Sequence, residues 1–146
     1  MLWISALRWL FKPLAGMQVS QYRKNAGPTP PRMLDYPLVL LTTKGARTGK
    51  EFTNPLAGFE QQDGTWLVVA SNSGAATHPA WVYNLAKHPD DVWLEVGYRK
   101  LKVEPTLLKG KERHDALASV AAISPRYGAY QKRTDREIPI VRLKVS

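Results

Sequence analysis

The sequence predicts a mainly β protein, a small antiparallel barrel of six strands with helices at its periphery. Segments of strand length follow one another with hairpin turns between them, as at Asp63-Gly64 and around Gly97. Few helix-length segments separate these strands, whereas a doubly wound parallel sheet needs a helix at nearly every crossover. The 146 residues, of which 44% are hydrophobic, are enough for one domain with a buried core.

The N-terminal part of the chain is predicted to lie outside the barrel. Residues 2–11 are mostly apolar but too short to span a bilayer, and no signal-peptide pattern surrounds them. Residues 25–31 (NAGPTPP) cannot continue a helix, which predicts a linker. We therefore divide the chain into an N-terminal helix with linker, residues 1–31, and a barrel domain, residues 32–146. The amphipathic spacing that predicts this helix, packed on the body or against a membrane interface, is carried by Trp3, Leu7, Leu10 and Leu14.

The barrel domain contains six segments of strand length and three of helix length. The first strand is a continuous apolar run that ends at Gly45, and the second can return antiparallel to it. Pro79 suits the first turn of a helix, where no backbone N–H is needed. The predicted strands are Pro37–Thr43, Thr53–Phe59, Trp66–Ser71, Val92–Val96, Lys100–Leu107 and Ile138–Val145. The predicted helical segments are Pro79–Lys87, Lys109–Ala122 and Pro125–Gln131, the last a short helix or turn.

The distribution of charge predicts an acidic partner near the N-terminal third of the chain. The formal charge is +9, from 21 Lys and Arg against 12 Asp and Glu. Residues 1–50 hold eight of the basic side chains and one acid, Asp35, so +7 of the charge lies there. Such an excess is typical of a site for a phosphate-bearing ligand, a nucleic acid or an anionic membrane surface.

Composition and spacing exclude several kinds of chemistry. The chain has no cysteine, which removes thiol catalysis, iron–sulfur ligation and cysteine zinc sites and suits a reducing compartment. His78, His88 and His114 stand apart, and no carboxylate shares a helical face with two of them, so no metal site is expected. No Walker loop, G-x-S-x-G or H-E-x-x-H pattern is present.

Four stretches combine residue types that could carry chemistry. Residues 42–50 (TTKGARTGK) form a turn whose glycines, hydroxyls and cations suit an anion, although a solvated hairpin is equally expected. Residues 69–76 (VASNSGAA) open a buried strand into small side chains that leave room for a flat ligand, or form an ordinary loop. Residues 79–85 (PAWVYNL) place three side chains on one helical face, a pattern more often found in a core. Residues 124–131 (SPRYGAYQ) project two tyrosines from one helical turn, where structural packing is as good an explanation.

Taken together and in order, four longer segments resemble one protein family. They are LLTTKGARTGKEFTNPL, DGTWLVVASNSGA, HPAWVYNLAKHPDDVWLEV and SPRYGAYQKRTDREIPIV, and the resemblance runs from about Tyr36 to Val145. The family is that of the deazaflavin-dependent nitroreductases and quinone reductases of actinobacteria, whose members bind coenzyme F-420. The resemblance implies a split β-barrel of the FMN-binding type, which agrees with the strand pattern reached from the residues alone.

The resemblance also implies a role for individual residues. The cofactor's phosphate and polyglutamate tail would be held by Lys44, Gly45, Arg47, Thr48, Gly49 and Lys50. The ribityl chain and deazaflavin ring would lie against Asn54, Pro55, Leu56, Ala70, Ser71 and Asn72, and the residues expected to close over the ring are Ala75, Ala76, Ala80, Trp81, Val82, Tyr83, Asn84 and Leu85. Tyr127 and Tyr130 match family tyrosines that wall the substrate pocket. The expected catalytic contacts are Ser71, for the ring or the acceptor oxygen, and Tyr127 or Tyr130 as a source of a proton, a role that solvent could also fill.

Three positions depart from the family pattern. Phe52 stands where many relatives carry a further basic residue, so more of the cofactor affinity is expected from Lys50. Ala57 and Ser124 occupy positions that are tyrosines in the prodrug-reducing branch. Two absent rings predict a wider pocket and poor reduction of nitroimidazoles.

The expected function is transfer of a hydride from reduced coenzyme F-420 to a small electrophilic acceptor such as a quinone or an activated enone. The cofactor carries this chemistry, and the protein binds and orients the cofactor and the acceptor and polarises the acceptor. Two alternatives stay open: the same barrel with FMN or another phosphate-bearing ligand, and a basic small barrel that binds single-stranded nucleic acid. We expect no nucleic-acid partner, because the cations cluster on one turn. The expected location is cytoplasmic, with peripheral contact between residues 1–24 and the inner face of the membrane.

Overall fold

The fold is an antiparallel sheet curved into a split barrel, with helices packed on its outside. The computed structural model describes residues 16–33 and 35–146, so the helix expected within residues 2–14 lies outside the described residues. The strands are β1 (Arg32–Met33), β2 (Tyr36–Lys44), β3 (Glu51–Ala57), β4 (Phe59–Glu60), β5 (Trp66–Val69), β6 (Trp93–Val96), β7 (Arg99–Leu107) and β8 (Ile140–Val145). The helices are α1 (residues 16–24), α2 (Ala80–Lys87), α3 (Gly110–Ile123) and α4 (Arg126–Arg133), with a 3-10 turn at Asn72–Gly74.

Every strand pair is antiparallel, as the hairpin pattern predicts. The order across the sheet is β1-β2-β6-β7-β8-β5-β4, and β3 pairs with the other edge of β2. Among the residues described, the sheet therefore has eight strands, against the six expected. The two additional strands, β1 and β4, are only two residues long each and have no hydrophobic period by which a sequence could mark them.

A glycine divides the second predicted strand. The expected segment 53–59 is two strands, because β3 ends at Ala57 and pairs with β2 while β4 begins at Phe59 and pairs with β5. Between them, a Cβ on Gly58 would lie 2.8 and 2.9 Å from the γ carbons of Val39. Only glycine allows this close approach, so the chain turns here from one end of the sheet path to the other.

Both faces of β2 are buried, which explains its unbroken apolar run. Val39 and Leu41 face the barrel interior with the other core strands, while Leu38 and Leu40 pack beneath α1. Alternate residues of a strand point to opposite faces, so a continuous hydrophobic segment is the expected signature of a strand covered on both sides.

Helix α1 and the segment after it are fixed to the barrel. The Tyr22 hydroxyl donates to the Leu38 carbonyl at 2.9 Å and accepts the Gly97 amide at 2.9 Å, while Arg23 binds both carboxylate oxygens of Glu95 at 2.9 and 2.8 Å. The division of the chain after residue 31 stays a prediction, but the described part of the N-terminal unit packs on the barrel. Within the residues described, no helix is long and apolar enough to cross a bilayer.

Helices α3 and α4 cover the outer face of β5 and β8. Leu67 and Val69 pack there against Val120 and Tyr127. The Arg113 guanidinium, itself buried, donates to the Ile138 carbonyl at 2.8 and 3.1 Å and so ties α3 to the start of β8. This packing places the tyrosines of α4 beside the end of β5.

Candidate active site

One cavity gathers the residues that the sequence singles out on three separate elements. It has a volume of about 350 Å3 and lies between β3, the loop that follows β5, and α4. It is lined by Gln18, Met33, Tyr36, Leu38, Asn54, Pro55, Leu56, Ala57, Val69, Ser71, Asn72, Ser73, Pro79, Trp81, Arg126, Tyr127 and Tyr130. Six expected cofactor residues and both expected tyrosines are in this set, although they are scattered through the chain.

The wall formed by residues 70–78 contains a strained turn. Asn72 and Ser73 have φ of 45° and 54°, a left-handed conformation that is unfavourable for side chains other than glycine. Gly74 follows with φ of 77°, and a Cβ there would lie 3.0 Å from the Tyr130 carbonyl oxygen. The amide N–H groups of Asn72 and Ser73 donate no hydrogen bond within the described part of the chain, so they are available to a ligand.

Arg136 holds this turn in place. Its guanidinium donates to the carbonyl oxygens of Ala75 and Ser71, each at 2.7 Å, and of Ala70 at 3.2 Å. It also lies 2.8 Å from Nδ1 of His78, which must accept because arginine has only donors. No carboxylate of the described residues pairs with Arg136. Partial burial lowers the pKa of Arg136 from its ordinary value, and the group remains a cation bound to neutral acceptors.

Asn84 on α2 holds the turn between β2 and β3, which contains the predicted anion-binding residues. Its amide nitrogen donates to the Thr43 hydroxyl at 3.1 Å, and its amide oxygen accepts the Ala46 N–H at 3.0 Å. The side chain is buried, so both of its polar ends are occupied within the protein. Asn84 therefore acts on this turn from beneath, and the structure gives it no place on the cavity wall.

The cations of the β2–β3 turn divide into two kinds. Lys44 makes an ion pair with Asp91 at 2.8 Å, and their contact raises the pKa of the Lys44 ammonium and lowers the pKa of the Asp91 carboxyl. Arg47 and Lys50 are exposed, and neither makes an ion pair with a described residue. The turn lies outside the cavity, three to four residues of β3 from Asn54, a span of about 10–13 Å.

The remaining residues expected to enclose a ring are spread over several environments. Trp81 is buried at the cavity wall and belongs to the barrel core together with Leu85 and Ala70. Val82 is partly buried against the same core. The residues that are exposed and do not line the cavity are Ala75, Ala76, Ala80 and Tyr83. Their contact with a cofactor stays a prediction.

The tyrosines of α4 form an aromatic wall. The Tyr127 ring meets the Phe59 ring and the Tyr130 ring edge to face, with centroids 5.6 Å apart in both pairs. Burial, and secondarily the neighbouring Tyr36 and Tyr130, raise the pKa of Tyr127 well above its ordinary value. The hydroxyl is therefore neutral at physiological pH and suited to donating a hydrogen bond, but it is a poor proton donor.

Sequence reasoning missed the charged residue of this wall, Arg126. Its guanidinium lies over the Tyr36 ring, 5.2 Å from the centroid, and pairs with Asp35 at 3.1 Å. The sequence signal for it was its place between the proline and the first tyrosine of SPRYGAYQ. Of the two positions expected to widen the pocket, Ala57 does line the cavity. Ser124 does not: it is fully buried and its hydroxyl donates to Asp35 at 2.9 Å.

The arrangement fits a flat ligand with an anionic tail. A cavity of this volume is in the range of small-molecule sites, about 300–1,000 Å3, and its wall combines aromatic side chains with amides and hydroxyls. The exposed cations Arg47 and Lys50 lie at the far end of β3, where a tail that leaves the cavity along this strand would reach them. Among residues 16–33 and 35–146, no three His, Cys, Asp or Glu side chains converge as metal ligands would.

Comparisons with known proteins agree on one family. A family model described as F-420H(2)-dependent quinone reductase matches residues 15–144. An F-420H(2)-dependent quinone reductase of Mycobacterium tuberculosis strain H37Rv is 35% identical over 113 residues, which cover 73% of this chain and 72% of the relative. A solved structure described as an F-420-H2 dependent reductase (FDR-A) has a TM-score of 0.67 and 35% identity and covers 78% of this chain and 99% of its own. A second solved structure, described as a domain-swapped dimer, has a TM-score of 0.69 and 32% identity, and it covers 91% of this chain and 100% of its own.

Proposed function

Because this chain belongs to the F-420H(2)-dependent quinone reductase family, we propose that it is an oxidoreductase that reduces quinones with reduced coenzyme F-420. The observation that carries the proposal is the single cavity shared by β3, the turn after β5 and the tyrosines of α4. We assign the deazaflavin ring to the side of this cavity along β3 and the acceptor to the side of the α4 tyrosines. When bound, the reduced deazaflavin supplies the hydride.

The protein's own residues bind and orient the two reactants. Asn54, Leu56 and Trp81 line the cavity, and the amides of Asn72 and Ser73, which have no partner among the described residues, are donors for ring oxygens. Arg47 and Lys50 would neutralise the phosphate and carboxylates of the tail. This division places ring recognition in a half-buried site and tail recognition in an exposed one.

The catalytic role of Ser71, Tyr127 and Tyr130 is to hold oxygens through hydrogen bonds. All three line the cavity, and the raised pKa of Tyr127 makes its hydroxyl a donor that keeps its proton. Water therefore supplies the proton that completes reduction. Tyr127→Phe should lower kcat/KM for quinones by about tenfold, with little change in F-420 affinity.

The proposal is tested by following the oxidation of reduced F-420 against quinones, activated enones and nitroimidazoles. We expect turnover of quinones and enones and poor turnover of nitroimidazoles. Ala57 lines the cavity where the prodrug-reducing branch has a tyrosine, so a nitroimidazole lacks that ring to stack against. Ala57→Trp, which fills the cavity, should abolish turnover, whereas Ile123→Trp on the exposed side of α3 should not. Failure of every quinone to oxidise reduced F-420, or tighter binding of FMN than of F-420 in an absorbance titration, would overturn the proposal.

We also propose that the enzyme is cytoplasmic and makes peripheral contact with the inner membrane face, where a lipophilic quinone dissolves. Met17 on α1 is 62% exposed, and its neighbour Gln18 lines the candidate cavity together with Met33. Each basic residue near an anionic surface contributes about 1 kcal/mol, so Arg8 and Lys12, outside the described residues, are the ones to change. The variant Arg8→Glu with Lys12→Glu should lose sedimentation with anionic liposomes while keeping F-420 binding. Sedimentation equal to that of the parent protein would contradict this contact.

A further inference from the structure

The side chains that line the cavity carry a single charge. Of the residues described there, Arg126 is the one charged side chain, and no carboxylate lines the wall. The other polar groups are neutral amides and hydroxyls, including Ser71 and Asn72. A lone cation among neutral polar and aromatic side chains favours a ligand that is electron-rich or becomes negative.

The guanidinium of Arg126 is held firmly but is not saturated with partners. One Nη atom donates to Asp35 at 3.1 Å, and the planar group lies over the Tyr36 ring. Its Nε is buried and has no hydrogen-bond partner among the described residues. A guanidinium has five N–H donors, so most of its capacity is free for a ligand. The side chain lines the cavity and is 30% exposed, so the Nη hydrogens that do not bind Asp35 are the donors a ligand there can reach.

We propose that Arg126 binds the carbonyl oxygen of the quinone acceptor and stabilises the negative charge that this oxygen gains during reduction. This inference rests on the proposed function and assigns its acceptor-binding residue. Addition of a hydride converts the quinone into a hydroquinone monoanion, with the charge on an oxygen, and a proton from water then gives the neutral hydroquinone. The donor of the hydride is oxidised by two electrons.

Arg126 suits this role better than its neighbours do. Tyr127 offers a neutral hydroxyl, and a hydrogen bond from a charged donor to an anionic oxygen is about twice as strong as a neutral one. The contacts with Asp35 and Tyr36 fix the planar group before the acceptor arrives, so little conformational freedom is lost on binding. Arg126 is thus an oxyanion donor fixed in advance at the aromatic end of the cavity.

A binding experiment without cofactor measures this contact directly. The probe is a hydroxynaphthoquinone that is anionic at neutral pH, followed by quenching of tryptophan fluorescence, to which Trp81 at the cavity wall contributes. Arg126→Gln should weaken binding of the anionic probe by about tenfold or more and should weaken binding of a neutral naphthoquinone far less. Arg126→Lys should recover part of the affinity, because it keeps the charge. Lys132→Gln, an exposed cation on the same helix, is the matched control and should bind as the parent does.

Asp35→Asn separates acceptor binding from a merely structural ion pair. Removing the carboxylate leaves Arg126 less neutralised, so affinity for the anionic probe should equal or exceed that of the parent. If the pair serves only to hold α4 in place, Asp35→Asn and Arg126→Gln should instead weaken the probe alike. That result, or parental affinity in Arg126→Gln, would overturn the assignment.

Turnover distinguishes this inference from the proposed function. Arg126→Gln should lower kcat/KM for quinones at least tenfold while F-420 affinity, measured by fluorescence titration, stays within about twofold of the parent. If none of the quinones tested oxidises reduced F-420 in the presence of the parent protein, the proposed function itself fails. If the parent is active and Arg126→Gln retains its kcat/KM, only the role of Arg126 fails.

Discussion

Two loops lie at the candidate active site, and each is held by one polar side chain from a distant element. The two side chains differ in charge. The 70–78 loop is fixed by Arg136, which binds three carbonyls and His78 and pairs with no carboxylate in the part of the chain that the structure describes. The 44–50 loop is fixed by the neutral amide of Asn84 through two hydrogen bonds, and it carries its own cations outward. The first loop shapes the cavity wall, and the second presents charge outside it. We therefore expect the first to respond to mutation through structure and the second through electrostatics.

The largest effect is expected from Arg136→Met, which would break the first side of this comparison. Removal of the guanidinium leaves the carbonyls of Ala70, Ser71 and Ala75 without their charged donor and releases the strained turn. Hydrogen bonds to charged groups contribute about 1.5–3 kcal/mol each and are not additive, so the free energy of unfolding should fall by about 2–4 kcal/mol. Urea denaturation measures the loss, and F-420 affinity should fall with it. Exposed Lys132→Met is the control, and an Arg136→Met midpoint equal to that of this control would show that the loop does not depend on the arginine.

Asn84→Ala should have the next largest effect and tests the second loop in the same way. The change leaves the Ala46 N–H and the Thr43 hydroxyl without partners and cuts the link between α2 and the turn. The free energy of unfolding should fall by about 1–3 kcal/mol. Asn84→Asp keeps an acceptor for Ala46 but adds a negative charge beneath the cations, so it should weaken F-420 binding with a smaller loss of stability. Equal stability of the Asn84→Ala and Asn84→Asp variants would mean that the hydrogen bond from the Ala46 N–H to the side chain at position 84 contributes nothing measurable.

Arg47→Ala and Lys50→Ala should weaken F-420 binding without a measurable change in stability, which sharpens the contrast with Arg136. Each removes an exposed charge-assisted contact to a tail anion, and affinity should fall about tenfold, more at low salt than at high salt. Lys44→Ala is the matched comparison within the same turn and should weaken binding less, because Asp91 already neutralises Lys44. Isothermal titration at two salt concentrations measures all three. Equal losses for Lys44 and Lys50 would contradict the division of the turn into paired and free cations.

The smallest expected effect is the pH dependence of the Lys44–Asp91 pair. Lys44 lowers the pKa of Asp91 in the folded protein, so the pair stabilises the fold above the ordinary aspartate pKa and this contribution is lost as pH falls through the lowered value. Both side chains are exposed, so the difference between the parent and Lys44→Met in urea midpoint should be slight at neutral pH and should shrink further as the pH is lowered below the ordinary aspartate pKa. A difference that grew on acidification would contradict this sign.

Some parts of the fold were accessible from local sequence because they depend on short-range chemistry. The apolar run of β2, the hairpin turn at Asp63-Gly64 and the two tyrosines three residues apart on α4 all lie where the sequence predicts. Hydrophobic period and turn chemistry encode these features within a few residues. The break at Gly58 was missed because it reflects contact with Val39, a residue on another strand.

The sequence by itself determined the fold class, the family, the cationic turn and about half of the residues that line the cavity. The tertiary structure decided which side chains serve the site from behind. Arg136 reaches the 70–78 loop, Asn84 reaches the β2–β3 turn, and Asp35 joins Arg126 to Ser124 only in the folded chain. Ser124, expected to widen the pocket, is instead buried beside it. Such partners lie far apart along the chain, and no local period or propensity records which polar group will meet which when the layers pack.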